Sequence, residues 1–341
     1  MQGKFLNSLV DPLTREELKL EGSLDSGILK GSQDYRIING VPRFVEKKSD
    51  KTIESFSNKW RNNIMEKYSS DYLTQICAIL GSGNKELSEI KYAFYDGSRF
   101  LDAGCGSGWV ELYYNINKKV DIYAVDKSDS VDRVYERTRN ENNIFVVQAD
   151  ILELPFRKEY FDVIICNGVL HHAPDPRIAF YKLCSYLRFG GTIGVYVYCQ
   201  KPFAREILDK EIRKITTGLS YPECVEFSNQ LSKLGRILKQ LNEKVIIDFD
   251  IPILCIEKGE YGVQEFLYNF FMKCYYDEKE GLEYSTFVNY DWYSPEIASH
   301  HKLEEILLWF EECNINRRTV IQPSGFKYSG YFVSGVKEVV E

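Results

Sequence analysis

Histidine, paired cysteine and long apolar runs are all scarce in this sequence. Its 341 residues include four histidines, three methionines and nine cysteines, and the cysteines are scattered with no Cys-x-x-Cys spacing. That scatter argues against a structural zinc site and favours a reduced, cytoplasmic setting. No apolar run is long enough to span a membrane, and the polar N-terminal residues do not form a signal peptide, so we expect neither a membrane anchor nor export.

Positive charge is also in short supply. The formal net charge is -7 at pH 7, with 43 Lys and Arg residues against 50 Asp and Glu residues. Phosphate backbones are bound by clustered Lys and Arg side chains, so this balance disfavours nucleic acid as a partner. A hydrophobic content of 44% is ordinary for a globular protein, and the length leaves room for one large domain plus additions.

The most informative segment is residues 100–109, which read FLDAGCGSGW. A buried strand is predicted there, running into a glycine-rich turn and then a helix. The glycines occupy alternate positions: Gly104, Gly106 and Gly108. They allow a sharp turn and keep side chains away from a ligand. Asp126 ends the next predicted strand, where a nucleotide ribose needs acceptors. A dinucleotide fingerprint requires a small residue where Trp109 stands, which argues against a nicotinamide cofactor.

Between residues 98 and 200, short apolar runs alternate with amphipathic segments. Strands are predicted at residues 99–102, 120–126, 144–148, 160–167 and 192–198, and helices at residues 129–139 and 177–187. A helix at residues 301–312 and strands at residues 317–321 and 331–334 follow near the end. Such alternation with short connections predicts an α/β fold with a doubly wound, parallel sheet.

Two further segments extend the glycine-rich pattern. Residues 161–176 read FDVIICNGVLHHAPDP, a hydrophobic strand that ends at Asn167 and is followed by a histidine pair. Residues 187–192 read LRFGGT, a turn before another strand. Together with residues 100–109, these two segments resemble, in sequence and in order, the motifs of the class I S-adenosylmethionine-dependent methyltransferases. The resemblance is to the methyltransferase type 11 group in particular, with its ubiquinone-biosynthesis-like members. The resemblance covers residues 97–200 and, less closely, residues 300–341.

The resemblance implies a Rossmann-like, mostly parallel sheet of seven strands and a site for S-adenosylmethionine, which leaves as S-adenosylhomocysteine. The residues that would hold this cofactor lie at strand ends, in the glycine-rich turn and on an N-terminal helix: Asp102, Gly104, Gly106, Gly108, Asp126, Lys127, Asp150, Ile151, Asn167 and Trp60. Plainer roles stay open for three of them. Asp126 could cap a turn with Ser128, and Asp150 could cap a helix. Trp60 could simply belong to a buried helix face that it shares with Phe56.

Histidine is the side chain best suited to proton transfer near neutral pH. His172 is the preferred catalytic base and His171 the second candidate; the alternative is that this pair only shapes the pocket. A later segment, residues 291–295, reads DWYSP and resembles an acidic, aromatic turn that faces the pocket in some relatives. The predicted substrate contacts are Tyr198, Asp291, Tyr293 and His300, with a loop, a helix cap or a core position as the alternative.

Five units are predicted along the chain: a small β module (residues 1–50), a helical lid (51–96), the cofactor-binding core (97–200), a helical insertion that covers the substrate (201–299), and a final helix with antiparallel strands of the core (300–341). In the first unit, Asn39-Gly40 predicts a hairpin turn. This unit resembles the zinc-ribbon-like module of some bacterial methyltransferases, without its cysteines.

The predicted function is S-adenosylmethionine-dependent methylation of a hydroxyl or amine on a small or medium-sized metabolite, such as a sugar, a quinone-like compound or a natural-product intermediate. The aromatic insertion motivates that acceptor class. Two alternatives stay open. One is an RNA methyltransferase, because the N-terminal module resembles that of a ribosomal RNA enzyme family. The other is a non-catalytic protein that keeps the cofactor fold as a scaffold.

Overall fold

The computed structural model describes residues 2–45, 51–61, 97–108, 119–322 and 330–339. Trp109 and the predicted helical spacing beyond residue 61 lie outside these ranges, so the predicted lid is described only in its first helix. Within the described ranges, no helix is long and apolar enough to cross a bilayer.

The first described residues form a small unit of one helix and four short strands: α1 (Gln2–Ser8), β1 (Lys19–Glu21), β2 (Ile28–Lys30), β3 (Asp34–Ile38) and β4 (Val41–Pro42). The strands form an antiparallel sheet in that order. Ile38 pairs with Val41 across Asn39 and Gly40, which have positive φ angles of 51° and 79°. These angles are the ones a two-residue hairpin turn requires, so the hairpin prediction is confirmed.

Helix α1 is a correction to the predicted β module, which was expected to consist of strands. The ring of Phe5 in α1 stacks on Phe145 with ring centroids 5.2 Å apart. Phe5 and Leu9 are both buried. The first residues therefore form a helix that packs its apolar side chains on the core. They do not pair as a strand with the four strands of the unit.

The remaining elements follow in chain order: α2 (Lys51–Arg61), β5 (Arg99–Ala103), β6 (Asp121–Asp126), α3 (Val131–Thr138), β7 (Ile144–Gln148), β8 (Phe161–Asn167), α4 (Pro176–Tyr186), β9 (Leu187–Tyr198), α5 (Phe203–Thr216), α6 (Tyr221–Gln240), β10 (Lys244–Ile247), β11 (Gly259–Gly262), α7 (Val263–Phe270), α8 (Gly281–Tyr293), α9 (Leu303–Glu312), β12 (Ile315–Ile321) and β13 (Gly330–Lys337). Single-turn 3-10 helices occur at Leu170–His172 and Pro252–Leu254.

Seven of these strands form one sheet in the order β12-β13-β9-β8-β5-β6-β7. Strands β5 to β9 run parallel, and β13 is antiparallel to both of its neighbours. The predicted α/β class and the mostly parallel sheet of seven strands are confirmed. Strands β6 and β8 are buried until their last residues, Asp126 and Asn167. A polar side chain thus emerges where each of these buried strands ends.

Strand β9 was predicted to begin at residue 192. In the structure it begins five residues earlier, at Leu187. Leu187 pairs with Phe161 and Thr192 pairs with Val163, so the residues between them bulge out of the ladder. Gly190 in this bulge has a φ of 72°, a left-handed conformation that other side chains resist. The predicted turn therefore lies inside the strand, where the pairing with β8 is irregular.

Residues 201–299 fold into four helices, α5 to α8, and a hairpin of β10 and β11 that was not predicted. Asn289 of α8 donates to Ser232 of α6 at 2.8 Å and accepts from the backbone N–H of Tyr275 at 3.0 Å. A Cβ added at Gly235 of α6 would lie 2.3 Å from the carbonyl oxygen of Cys274. These close contacts make the insertion a packed layer with its own polar interior.

The N-terminal unit extends one edge of the large sheet. Arg43, which follows β4, forms a parallel bridge with Gln148 at the end of β7. The backbone N–H of Phe44 donates to the carbonyl of Gln148 at 2.8 Å, and that of Val10 donates to Pro155 at 2.9 Å. The unit therefore pairs with β7 at Gln148, the last residue of that edge strand.

Candidate cofactor and acceptor site

The glycine-rich turn follows β5 directly. Gly104, Gly106 and Gly108 all have positive φ angles, of 95°, 52° and 77°. A Cβ at Gly104 would lie 2.2 Å from Val169, and one at Gly106 would lie 2.9 Å from the indole of Trp60. The turn therefore requires glycine for its backbone conformation and for the close approach of these two side chains.

Asp126 connects the end of β6 to this turn. One carboxylate oxygen accepts from the backbone N–H of Gly106 at 2.9 Å. The other accepts from the N–H and the hydroxyl of Ser128, at 2.8 and 2.6 Å. The predicted turn with Ser128 is present, and it does not exclude a ribose contact. A carboxylate has about four acceptor positions, and the Ser128 hydroxyl also lies 2.8 Å from that of Ser130, so it has a second partner.

Asp150 follows the end of β7. Its carboxylate lies 3.0 Å from the ammonium group of Lys127 and accepts from the N–H of Leu152 at 2.9 Å. No helix begins there, so Asp150 forms an Asx turn and the alternative of a helix cap is wrong. Ile151, another of the predicted cofactor residues, is 8% exposed beside it.

These side chains meet at the carboxyl edge of the parallel strands, where open α/β sheets bind ligands. Asp102 is buried in β5 immediately before the turn, and Asn167 ends the neighbouring strand β8. The glycine-rich turn leaves open backbone beside two carboxylates, Asp126 at the end of β6 and Asp150 after β7. Such acceptors fit the hydroxyl donors of a ribose and the amino group of an adenine. This part of the chain therefore fits S-adenosylmethionine, and the individual contacts stay predictions.

Trp60 of α2 lies against the glycine-rich turn. Its carbonyl accepts from Arg133 of α3 at 3.4 Å, and the ammonium of Lys59 lies 4.0 Å from its ring centroid. Phe56, one turn earlier, contacts the ring of His172 edge-on at 4.8 Å. The predicted shared face of Phe56 and Trp60 therefore packs on the candidate site itself.

His172 has the hydrogen bonding of a neutral base. Its Nδ1 lies 2.6 Å from the carbonyl oxygen of Ile297. A carbonyl only accepts, so Nδ1 carries the hydrogen and Nε2 is the acceptor nitrogen of the neutral ring. Burial lowers the pKa of His172 to about 4, against a raising effect of the Ile297 carbonyl. At neutral pH the ring is therefore uncharged and can take up a proton.

His171 is fully buried and supports strand β9. Its Nδ1 accepts from the backbone N–H of Tyr198 at 3.2 Å, and its ring stacks on that of Tyr198 at 3.5 Å. Burial holds its pKa well below the usual value, with His172 adding to the effect. This placement suits a residue that fixes the ring of Tyr198, and it gives His171 no exposed nitrogen for proton transfer.

Asp291 of α8 lies between α2 and β9. It forms an ion pair with Lys59 and accepts from the hydroxyl of Tyr198 at 3.4 Å. Burial acts to raise the pKa of Asp291, but the charge and hydrogen bond of Lys59, together with the charges of His172 and Lys273, outweigh it, and the pKa falls below the usual value. Asp291 is therefore a carboxylate held beside Tyr198, in the vicinity of His172.

Tyr293 and His300 lie around the buried ring of Trp292, which also packs on the buried ring of Tyr198 with ring centroids 4.8 Å apart. The hydroxyl of Tyr293 donates to Asp209 at 2.6 Å, and Tyr293 has no exposed surface. His300 stacks on Trp292 at 5.1 Å and lies 2.8 Å from Glu206. The structure thus brings Tyr198 and Asp291 together and places Tyr293 in the interior of the insertion, away from a substrate surface.

Sequence reasoning missed the charged residues around Trp292. Four cationic groups lie near its ring centroid. Two are on α5: Arg205 at 5.2 Å and Arg213 at 5.4 Å. The others are Lys201 before α5, at 5.5 Å, and Lys273 before α8, at 4.4 Å. Burial lowers the pKa of Lys273 to about 7. Positions 205, 209 and 213 share one face of α5 at four-residue spacing. That spacing of charges was the one available signal.

Residues 101–195 match a protein-family model described as a methyltransferase domain. The match begins in β5 and ends inside β9. It therefore includes the glycine-rich turn, Asp126 and the histidine pair.

Known proteins are matched over part of their length. A 27-O-demethylrifamycin SV methyltransferase from Amycolatopsis mediterranei is 28% identical over 36% of this chain and 47% of that protein. A probable tRNA methyltransferase 9B from Homo sapiens is 31% identical over 41% of this chain and 29% of that protein. The chain thus spans less than half the length of these relatives. A solved S-adenosylmethionine-dependent methyltransferase from Methanosarcina mazei is 15% identical, with 74% of this chain and 98% of that chain covered and a TM-score of 0.41.

The family match and the site coincide in the chain. The matched residues carry the glycine-rich turn, the carboxylates after β6 and β7, and Asn167 at the end of β8. Residues 101–195 therefore match a methyltransferase domain, and the matched residues are the ones that carry the candidate site.

Proposed function

We propose that this protein transfers the methyl group of S-adenosylmethionine to a hydroxyl or amine of a small or medium-sized metabolite. The setting of His172 carries the proposal. Its backbone N–H donates to Val169, which packs on Gly104 of the glycine-rich turn. Its Nδ1 is held by the Ile297 carbonyl. A neutral base is thus fixed one helical turn from the residue that packs on the glycine-rich turn.

Each residue of the site has a distinct role in this proposal. The cofactor, when bound, supplies an electrophilic methyl group on a sulfonium centre. Asp126 holds the ribose hydroxyls and Asp150 the adenine amino group. Nε2 of His172 takes the proton from the acceptor hydroxyl or amine as that atom attacks. The carboxylate of Asp291 favours the protonated form of His172, so it stabilises the charge that this step creates.

The contacts of α2 support an acceptor of limited size. Lys59 pairs with Asp291, and the hydroxyl of Ser55 donates to that of Ser294 at 2.6 Å. Helix α2 and the end of α8 therefore pack together, and Phe56 of α2 contacts His172. A relative is named for O-methylation of a rifamycin. A sugar, a quinone-like compound or a natural-product intermediate suits such a site.

An RNA acceptor is the second candidate, because another relative is described as a probable tRNA methyltransferase. The net charge of -7 counts against it. Retention of labelled tRNA on a filter, compared between roughly 50 and 200 mM salt, separates the two acceptor classes. Strong retention that falls steeply with salt would favour RNA.

The first test is calorimetric titration with S-adenosylmethionine and S-adenosylhomocysteine. Wild type is compared with Asp126→Ala and with Glu136→Ala, an exposed residue of α3 that gives the same change of charge. We expect micromolar binding to wild type and Glu136→Ala. We expect a loss of at least tenfold in Asp126→Ala, because the ribose loses its charged acceptor.

Binding is then followed by transfer of a labelled methyl group to an extracted metabolite pool. Label in a small molecule supports the proposal. Absence of cofactor binding by folded wild type would leave the scaffold alternative. Equal binding by Asp126→Ala would remove Asp126 from the site.

A further inference from the structure

Arg213 of α5 is a buried cation with few partners. It is 9% exposed, and its Nε donates to the carbonyl of Trp292 at 3.0 Å. Its Nη2 is buried and donates no hydrogen bond to any of the described residues. Across that same part of the chain, no carboxylate forms an ion pair with its guanidinium within 4.0 Å. Most of the hydrogen-bonding capacity of this side chain is therefore unused.

The acidic residues one and two turns earlier on α5 are already committed. The oxygens of Asp209 accept from the hydroxyl of Tyr293 at 2.6 Å, from the indole of Trp292 at 2.8 Å and from Arg205 at 3.2 Å. Both oxygens of Glu206 lie 2.8 Å from Nδ1 of His300. Neither carboxylate completes the coordination of Arg213.

The charges of Asp209 and Glu206 act on Arg213 from a distance. A buried guanidinium without a direct ion pair is still costly, and a ligand that completes its hydrogen bonds offsets that cost. A cleft of about 710 Å³ lies at this point and is lined by Arg213 and His300. Its volume is in the range of small-molecule sites. The exposed residues Lys210 and Lys214 also line it, with Glu206 and Glu296 as its acidic members. Cations therefore outnumber acids on its wall.

We propose that this cleft binds an oxyanion group, a carboxylate or a phosphate ester, through the guanidinium of Arg213. A guanidinium presents paired donors that match either group. Lys210 adds charge at the rim. Phe203 and Ile207, which are 57% and 48% exposed, also line the cleft and offer apolar contact to the rest of the ligand.

His300 adds a second requirement on the ligand. Its Nδ1 donates to Glu206, so its Nε2 is the acceptor of the neutral ring. That atom is buried and accepts no hydrogen bond from the described residues. A hydroxyl or amine close to the oxyanion would satisfy it. The site therefore suits a hydroxy or amino acid, or a phosphate ester with a neighbouring hydroxyl.

The cleft adjoins the predicted methyl-transfer site. Glu296, Ala298 and His300 line the cleft, while Ile297 between them holds His172. One segment thus forms a wall of both places. If the proposed function is correct, the oxyanion belongs to the methyl acceptor and fixes its orientation toward His172. Oxyanion binding itself does not depend on that function.

The test measures the thermal unfolding midpoint with added sodium phosphate or sodium acetate, at ionic strength held constant with sodium chloride. We expect at least one of the two anions to raise the midpoint of wild type by about 3 °C near ten times its Kd. The anion with the larger effect identifies a tetrahedral or a planar group. Arg213→Met should abolish the shift, and Arg213→Lys should keep part of it.

Lys233→Met, on an exposed position of α6 outside the cleft, is the control for charge and should keep the full shift. If Arg213→Met does not fold, Lys210→Glu at the exposed rim replaces it and should reduce the shift. No shift in wild type, or an equal shift in the Arg213 or Lys210 variant, overturns the proposal. Calorimetry with S-adenosylmethionine on the same samples separates this failure from failure of the proposed function.

Discussion

At the scale of single residues, hydrogen bonds give two adjacent histidines different chemistry. His171 uses its Nδ1 as an acceptor for the Tyr198 backbone, whereas His172 donates through Nδ1 to the Ile297 carbonyl. Both rings are neutral because burial lowers their pKa values. Of the two, only His172 is partly exposed, and its Nε2 is left as the acceptor, so we propose it as the residue for proton transfer.

The pKa of His172 predicts an unusual pH dependence of activity. A base with a pKa of about 4 stays neutral throughout the range in which an ordinary histidine becomes charged. We expect kcat/KM to be maintained from pH 8 down to about pH 5 and to fall only toward pH 4. The unfolded state binds the extra proton between pH 6.5 and about 4. The contribution of His172 to stability is therefore complete above pH 6.5 and is lost as the pH falls through that window.

The measurement is kcat/KM against pH, with the unfolding free energy followed in parallel. His172→Gln should lower kcat by roughly 10²- to 10⁴-fold, as expected for loss of a general base. It should also remove the histidine's part of the stability change between pH 6.5 and 4. A wild-type profile that falls with a midpoint near 6.5 would contradict this assignment. His301→Gln, in the histidine pair at residues 300–301, serves as the control for the loss of kcat.

At the scale of elements, the N-terminal unit is connected to the predicted ribose loop. Arg43 forms an ion pair with Asp132 and donates to the Gln148 side chain at 3.1 Å. The amide of Gln148 then donates to the carbonyls of Lys127 and Ser128, at 3.0 and 3.1 Å. A side chain of the small unit thus supports the loop that follows Asp126.

Loss of this support should weaken cofactor binding. We expect Arg43→Met to raise the Kd for S-adenosylmethionine about fivefold, because a hydrogen bond that orders the loop is worth about 1 kcal/mol. Arg36→Met, an exposed residue of β3, should have no effect. Calorimetric titration of both variants is the measurement. Equal Kd values for the two variants would show that the unit does not act on the loop.

The sequence predicted those elements whose signal is local. Strand β7 was placed at its observed bounds, and the strand that ends at Asp126 within one residue. The Asn39-Gly40 turn was placed correctly, because the hairpin geometry needs residues that accept positive φ. Local periodicity and turn chemistry were sufficient in these cases.

Features set by distant partners could not be predicted. Helix α1 depends on packing against Phe145, far away in the chain. The interior position of Tyr293 depends on Asp209, which is separated from it by 84 residues. The unpaired state of Arg213 depends on how Asp209 and Glu206 are shared among other donors. Spacing along the chain carries no information about such contacts.

At the scale of the whole molecule, α2 joins the insertion to the sheet. Trp60 packs on the glycine-rich turn, while Lys59 pairs with Asp291, 232 residues later. The hydroxyl of Tyr290 also donates to the carbonyl of Ser55 at 3.3 Å. The first helix of the predicted lid is thus bonded to both layers that surround His172.

The Lys59–Asp291 pair should matter for stability as a pair. Lys59 is 8% and Asp291 24% exposed at the side chain, so Lys59→Met leaves a largely buried carboxylate without its cation. We expect a loss of about 2–4 kcal/mol in unfolding free energy, and partial recovery in Lys59→Met/Asp291→Asn. Urea denaturation measures both, with Lys51→Met at the exposed start of α2 as the control. A double variant no more stable than Lys59→Met would contradict the pairing.

The coverage of β7 by the N-terminal unit has a consequence for aggregation. An uncovered edge strand is a template for strands of other molecules. The opposite edge, β12, carries the exposed charges of Arg317 and Arg318, which discourage such pairing. Strand β7 has no such charges: its residues 144–147 read IFVV, a run suited to cross-β stacking. The unit packs on this run through the ring of Phe5, which stacks on Phe145. Detachment of the small unit would therefore uncover an apolar part of the edge, and we expect it to favour self-association of the sheet.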